Sequence, residues 1–181
     1  NLHKGCILMQ FFKHFYTITK HRHTVMLHCF KAGIVWRGLM HDLSKYSPAE
    51  FLCGAKYYQG TRSPNARERE LFGFSKAWLH HKGRNRHHYE YWRDYNPATK
   101  KCEPVEMPLP FFKEMVCDRI AASKVYKGKN YKDSDPIDYY YSESHLICEI
   151  HPKTAKHLEE VLKMLAVKGE HKTFEYLKSL K

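Results

Sequence analysis

Apolar residues recur at steps of three and four along most of the chain, and alternating strand-like runs are short or missing. This spacing is typical of helices that bury one face. It is clearest near the C terminus, where Leu158, Val161, Leu162 and Leu165 lie at helical spacing. The pattern therefore predicts an all-α domain.

Glycine, proline and polar clusters divide this pattern into segments. Loops are expected at about 60–65, 94–108 and 127–136. Helices are predicted over about 7–19, 20–32, 35–45, 66–81 and 110–126, with two or three more after 137. Another helix is expected to begin at Ser47, with Pro48 in its first turn and Glu50 closing a capping box.

The chain's 181 residues suit one helical domain. No apolar run approaches the ~18 residues of a membrane span, so we expect no membrane partner. The six cysteines show no Cys-x-x-Cys spacing, and the first residues lack the apolar core of a signal peptide. These features favour a reduced, cytoplasmic setting. The chain lacks an initiator Met, which is consistent with trimming.

Basic residues outnumber acidic ones by 31 to 19, a formal charge of +12, and they are scattered over the whole chain. Such a field favours a small anionic or phosphorylated partner, and it is compatible with nucleic acid. A merely solvated basic surface explains the same composition equally well. Oligomeric state leaves no signal in the sequence.

The adjacent pair His41 and Asp42 ends an apolar stretch. An imidazole and a carboxylate at such a position hold one divalent cation when other helices bring further ligands. His21 and His28 share one stripe of the helix before Gly33, and the turn at this glycine folds His41 and Asp42 back toward that stripe.

Further ligands lie downstream in the sequence. Asp118 could complete the first set, and a histidine pair on the intervening segment, either 80–81 or 87–88, could hold a second ion. Two neighbouring helical histidines lie ~100° apart, so only one of His80 and His81 is expected to face the metal. Glu114, one turn before Asp118, could orient a ligand histidine, act as a general base, ligate directly or face solvent.

This arrangement resembles the HD superfamily, in which a helical bundle binds one or two metals through an early His, a His-Asp pair and a late Asp. His21 matches the first ligand, the segment 39–45 matches the His-Asp region, and Asp118 matches the final Asp. Lys45 stands where a phosphate-facing lysine often lies in that family.

A closer resemblance is to the DUF5662 family of small bacterial and phage proteins. Their motif His-Asp-Leu-Ser-Lys-Phe-Ser-Pro-x-Glu-Phe is matched at 41–51, with Tyr46 in place of Phe. Their Asn-x-His-His-aromatic-x-x-Trp run is matched at 85–92. The likeness covers about 15–125 and leaves C-terminal helices at about 137–181. It implies His81 as the ligand of its pair.

The resemblance implies a metal-dependent phosphohydrolase acting on a nucleotide or another small phosphorylated substrate. The expected cofactor is one or two divalent ions, Mn, Fe, Co, Ni, Zn or Mg, and the expected ligands are His21, His41, Asp42, His81, His87, His88 and Asp118. The expected catalytic groups are Asp42, Lys45, Glu114, Arg84 and Arg86. The three basic side chains among them are expected to neutralise the phosphoryl oxygens.

Two alternatives stay open. One is a diiron oxygenase of the HD type. The other is a noncatalytic, metal-stabilised module that binds nucleic acid through the basic and aromatic side chains of the segment 84–92.

Overall fold

The computed structural model describes residues 2–143 and 148–181, with side chains from residue 8 onward. The predicted all-α class is confirmed, because the described residues contain eight α-helices and a single small hairpin. The helices are α1 Leu2–Lys31, α2 Val35–Met40, α3 Pro48–Lys56, α4 Pro64–Phe72, α5 Lys76–Arg84, α6 Leu109–Lys127, α7 Asp135–Ser142 and α8 Pro152–Ser179. Short 3-10 turns lie at Leu43–Tyr46, Tyr89–Tyr91 and Gly128–Asn130.

The core lies where α6 packs along α1 and is covered by α8. The predicted apolar face of α8 is confirmed, since Leu158, Val161, Leu162 and Leu165 are completely buried. Val25 of α1 and Ile120 of α6 are also fully buried. This packing holds α1 and α6 side by side, and these helices carry His21 and Asp118.

The prediction of two helices over 7–19 and 20–32 was wrong, because α1 runs unbroken from Leu2 to Lys31. No glycine or proline lies between residues 6 and 31, so nothing in the chain interrupts it. The predicted stop is confirmed, since α1 ends just before Gly33, whose φ is +77°.

The helix predicted over 35–45 was also too long. α2 ends at Met40, and Asp42 adopts the left-handed conformation with φ 52° and ψ 26°. Nε of Arg22 on α1 donates to the carbonyl of His41, at 3.2 Å. This long-range bond helps to fix the turn, and the turn brings the His41 and Asp42 side chains next to each other.

The single helix predicted over 66–81 is two helices. Gly73, with φ +78°, ends α4, and α5 begins after Ser75, whose hydroxyl accepts a hydrogen bond from the backbone N of Trp78 at 2.9 Å. A left-handed glycine and a new N-cap separate two helical patterns that look continuous in the sequence.

Two smaller expectations also differ from the structure. The predicted loop at 94–108 contains an antiparallel hairpin, β1 Arg93–Asn96 paired with β2 Lys101–Pro104. Ser47 occupies the N-cap position of α3, but its side chain makes no capping bond. Glu50 instead contacts two histidines of α5, so the predicted capping box does not form.

Candidate metal centre

Five histidines and two aspartates converge on one point between α1, α5 and α6. They are the seven ligands expected from the sequence: His21, His41, His81, His87, His88, Asp42 and Asp118. His21 lies on α1, His81 on α5 and Asp118 on α6, whereas the other four lie in the segments that follow α2 and α5. Long-range packing therefore brings the predicted ligands together.

The polar atoms that face the centre of this group are unsatisfied. The Nε2 atoms of all five histidines and both carboxylate oxygens of Asp42 are buried, and none has a hydrogen-bond partner of acceptable geometry in the described part of the chain. A buried polar atom left unpaired costs ~1–3 kcal/mol. These atoms lie close together, and a cation at their centre would satisfy most of them.

The group divides into two ligand sets that share Asp42. The first comprises His21, His41, Asp42 and Asp118, and the second comprises Asp42, His81, His87 and His88. Within each set, one ligand atom from every residue lies within 4.8 Å of the others.

Each oxygen of Asp42 faces a different set. Its Oδ2 lies 3.3 Å from Nε2 of His41. Its Oδ1 lies 3.4 Å from Nε2 of His81 and 3.5 Å from Nε2 of His87. This geometry suits a carboxylate that bridges two ions.

The distances between candidate ligand atoms are close to those between ligand atoms around a single ion. Nε2 of His21 lies 2.8 Å from Oδ1 of Asp118, and Nε2 of His41 lies 3.6 Å from the same oxygen. Bonds of ~2.1 Å from a divalent ion to N and O ligands separate neighbouring ligand atoms by about 3.0–3.4 Å. The two measured separations lie on either side of this range, so the cluster is close in size to a metal shell.

The other ring nitrogen, Nδ1, contacts a buried glutamate in three of the histidines: His41, His81 and His87. Oε1 of Glu114 lies 2.9 Å from Nδ1 of His41 and 3.2 Å from Nδ1 of His87. Oε2 of Glu50 lies 2.7 Å from Nδ1 of His81. A carboxylate only accepts, so it favours a proton on Nδ1 and leaves the Nε2 lone pair for a metal.

Glu114 therefore lies behind the two rings, on the side away from Asp42. Nδ1 of His41, Nδ1 of His87 and a carboxylate oxygen of Glu114 could themselves enclose a small ion. The arrangement favours the orienting role over the general base, because the same two rings already present Nε2 to Asp42. Arg37 supports the carboxylate from behind, with its Nε donating to Oε2 of Glu114 at 2.7 Å.

The electrostatic surroundings favour the ligating forms of several of these groups. Burial by itself raises the pKa of Asp42, but His41 and Lys45 outweigh it and hold that pKa well below the usual range. For Asp118, the close approach of the His21 and His41 rings likewise overcomes burial and holds its pKa well below the usual range.

Two of the histidines are kept neutral. Burial lowers the pKa of His21 despite its contact with Asp118. Burial and the neighbouring His87 lower the pKa of His88 well below its ordinary value. His41 differs, because Asp42, Asp118 and Glu114 outweigh burial and raise its pKa, so a metal would have to displace its proton.

A cavity of about 880 Å³ opens on the cluster. Five of the seven candidate ligands line it, namely His21, His81, His87, His88 and Asp118. Lys45 also lines it, with Nζ 2.6 Å from Oδ2 of Asp42. Tyr139 of α7 forms part of the wall, which identifies one role for the C-terminal part of the chain.

Two of the predicted cationic groups lie elsewhere. Arg84 and Arg86 are exposed and are not among the cavity-lining residues. Nη1 of Arg84 donates to the backbone oxygen of His80, and the Arg86 guanidinium lies 5.5 Å from the ring centre of Tyr91. Local partners therefore hold both side chains away from the cluster.

The predicted aromatic stacking surface is not formed as a unit. Tyr89 and Trp92 pack against the hydrophobic core, and Nε1 of Trp92 donates to the backbone oxygen of Arg86. Of the three aromatic residues in this segment, Tyr91 is the most exposed. These contacts make the aromatic run a structural part of the loop that carries His87 and His88.

His80 and His28 lie outside the cluster. Nδ1 of His80 contacts Glu50, and Nδ1 of His28 lies 3.2 Å from the backbone oxygen of Cys117. The role of Glu50 was not predicted from the sequence, because its position fitted a helix start. Its place inside the motif at 41–51 was the available signal. Arg37 gave no comparable signal.

In the described residues no helix is both long and apolar enough to cross a membrane. Comparisons with curated proteins and with solved structures give no match. A family of unknown function, DUF5662, matches residues 10–164. This stretch covers most of the chain and contains all seven candidate ligands. The chain therefore belongs to the DUF5662 family.

Proposed function

We propose that this protein is a metal-dependent phosphohydrolase of the HD type, acting on a nucleotide or another small phosphorylated substrate through a dinuclear site. The observation that carries the proposal is the pair of ligand sets that share Asp42 beside a cavity containing Lys45. One set has three histidines and one carboxylate, and the other has two of each. Mn, Fe, Co, Ni, Zn or Mg are the candidate ions, and imidazole-rich ligation favours the transition metals among them.

A pair of divalent cations, if held by these residues, would lower the pKa of coordinated water toward ~7 and neutralise charge on a phosphoryl group. The residues of the chain supply the rest. Lys45 lies at the cavity wall beside Asp42 and offers a further positive charge to the phosphoryl oxygens. The cavity volume of about 880 Å³ falls within the range of small-molecule sites, ~300–1,000 Å³.

The wall of the cavity also suits an organic phosphate. Trp78 and Tyr126 present aromatic surface, and Arg69 and Lys82 add positive charge. Aromatic rings beside cations match the two parts of a nucleotide, its base and its phosphate.

The test is phosphate release from p-nitrophenyl phosphate and from a nucleotide panel, with Mn²⁺, Co²⁺ or Mg²⁺ supplied to metal-free protein. We expect Asp42→Asn to lose activity to background, because it removes the shared ligand. Lys45→Met should lower kcat/KM about 100-fold, since it removes one charge from the transition state. Arg84→Ala is the matched control, since Arg84 is an exposed cation outside the cavity, and it should retain full activity.

Normal turnover by Asp42→Asn would refute the proposal. The proposal would also be refuted if the unmodified protein, carrying two bound ions, released no phosphate from any substrate of the panel. An equal loss in Lys45→Met and Arg84→Ala would show that Lys45 has no special place in the reaction.

A diiron oxygenase is the second candidate. Five histidines and a bridging carboxylate suit two irons as well as they suit other transition metals. Metal analysis of protein purified without added metal or chelator separates the candidates. About two irons per chain with oxygen uptake would favour the oxygenase, whereas zinc or magnesium alone would count against it.

A further inference from the structure

Glu114 touches both halves of the cluster, whereas Glu50 touches only one. His41 belongs to the first ligand set and His87 to the second, and Oε1 of Glu114 lies 2.9 Å from Nδ1 of the first and 3.2 Å from Nδ1 of the second. Glu50 contacts His81, which belongs to the second set alone, and His80, which belongs to neither.

We propose that Glu114, held by Arg37, is a positioning residue that ties the two metal-binding halves together, so that both ions depend on this one carboxylate. The proposal rests on the metal centre of the proposed function and makes no use of the hydrolysis step. Glu50 is the corresponding residue for the second half only.

The surroundings of Glu114 make it a rigid support. Its side chain is 5% exposed, and both of its oxygens are engaged, Oε1 by the two imidazoles and Oε2 by Nε of Arg37 at 2.7 Å. The Arg37 guanidinium is itself stacked 3.7 Å from the ring centre of Phe111. Few other positions are open to the carboxylate while these contacts persist.

A fixed carboxylate acts on a ligand histidine in two ways. It holds the ring so that Nε2 points at the ion, and it makes that nitrogen a better electron donor by accepting a hydrogen bond from Nδ1–H. Loss of such a partner typically costs 10–100-fold in metal affinity. Glu114 contacts one ring of each ligand set, so its loss should lower the affinity for each of the two ions.

The experiment measures Co²⁺ retained per chain after metal-free protein is loaded at a concentration just sufficient to fill both sites. Unmodified protein should retain two ions. Glu50→Gln should retain one, because only the second half loses a partner. Glu114→Gln should retain neither, and calorimetric titration should show both affinities lowered 10–100-fold.

Arg37 provides an independent test, should Glu114→Gln not fold. Arg37→Met should weaken both ions, and Arg37→Lys should recover part of the affinity, because a cation again faces Oε2 of Glu114. The visible spectrum of bound Co²⁺ reports changed ligand geometry at each step, which a general loss of stability would not produce. Circular dichroism melting confirms that each variant is folded.

The proposal is overturned if Glu114→Gln or Arg37→Met weakens one ion only, or if both variants retain two ions. Retention of one ion or none by the unmodified protein would overturn it together with the dinuclear centre. Correct Co²⁺ behaviour in a protein that hydrolyses no phosphate ester would refute the proposed reaction and leave this inference intact.

Discussion

In His41 and in His81, the two ring nitrogens contact different partners. Nδ1 meets a buried glutamate and Nε2 faces Asp42, in both cases. At the residue scale, the proposed metal binding thus depends on which nitrogen carries the proton. The environment sets this choice, because hydrogen bonds from His41 and His87 overcome burial and lower the pKa of Glu114 to about 2.

His28 shows how burial acts on a histidine outside the cluster. Its ring is 3% exposed and packs 5.0 Å from the ring of Phe174, and its Nε2 lies 3.4 Å from Nζ of Lys124. Burial, assisted by Lys124, lowers its pKa from 6.5 to about 4. The unfolded chain therefore binds a proton here between these two pH values, whereas the folded chain does not.

We expect His28 to make stability fall on acidification. Its contribution is present above pH 6.5 and is lost as the pH falls from 6.5 through about 4. In His28→Gln, the drop in unfolding free energy over this window should be smaller by roughly 2–3 kcal/mol. Urea unfolding at several pH values measures it, with the exposed His23 on the same helix changed to Gln as control. Parallel pH profiles for both variants would contradict the assignment.

At the element scale, the site depends on where helices stop. α2 ends at Met40, and Asp42 then adopts the left-handed conformation. α4 ends before Gly73, and α5 begins after its N-cap, Ser75. Each break redirects the chain just before it delivers a ligand. Longer helices, as the sequence pattern predicts, would carry these side chains along other directions.

The start of α5 is held by a small polar network. Oγ of Ser75 accepts from the backbone N of Trp78 and donates to Oε2 of Glu68, which also accepts from the backbone N of Ala77 at 3.3 Å. This network caps α5, the helix that carries His81. The Glu68 side chain is buried within the network.

We expect Ser75→Ala to lower the free energy of unfolding by about 1–2 kcal/mol, because it removes the cap and leaves a buried carboxylate short of one donor. Ser63→Ala is the matched control at the start of α4. There the hydroxyl accepts only a longer bond, 3.3 Å from the backbone N of Asn65, so a smaller loss is expected. Equal losses in denaturant unfolding would show that the Glu68 network adds nothing.

At the scale of the whole molecule, the cluster joins segments that are far apart in the chain. Its ligands run from His21 to Asp118, and they come from three helices and two connecting segments. A bound ion would therefore act as a cross-link through the middle of the domain. The buried Nε2 atoms lack hydrogen-bond partners of acceptable geometry, a cost that a bound ion would remove.

Metal should consequently stabilise the folded chain. A divalent ion at 100 times its Kd adds ~2.7 kcal/mol, which for a domain of this size raises Tm by about 5–10 °C. Melting of chelator-treated protein with and without added Mn²⁺, Co²⁺ or Zn²⁺ measures this shift. Asp42→Asn should show little of it. An unchanged Tm for the unmodified protein with every ion would contradict the metal centre.

The sequence alone was enough to predict the fold class, the buried face of α8 and the residues that gather in the cluster. Helical periodicity is a local property, and the segments 41–51 and 85–92 resemble family motifs that can be recognised without coordinates. Preference for His81 over His80 also follows the observed orientation, since His81 faces Asp42 and His80 contacts Glu50.

Only the tertiary structure decided the helix breaks, the two-sided use of Asp42 and the parts played by Glu50, Glu114 and Arg37. Each depends on contacts between residues distant in sequence, such as Arg22 with His41 and Arg37 with Glu114. The tertiary structure also places Arg84 and Arg86 outside the lining of the cavity, where each side chain contacts a nearby residue of its own segment. Periodicity shows which face of a helix is buried, whereas the meeting of distant side chains is fixed by how the helices pack.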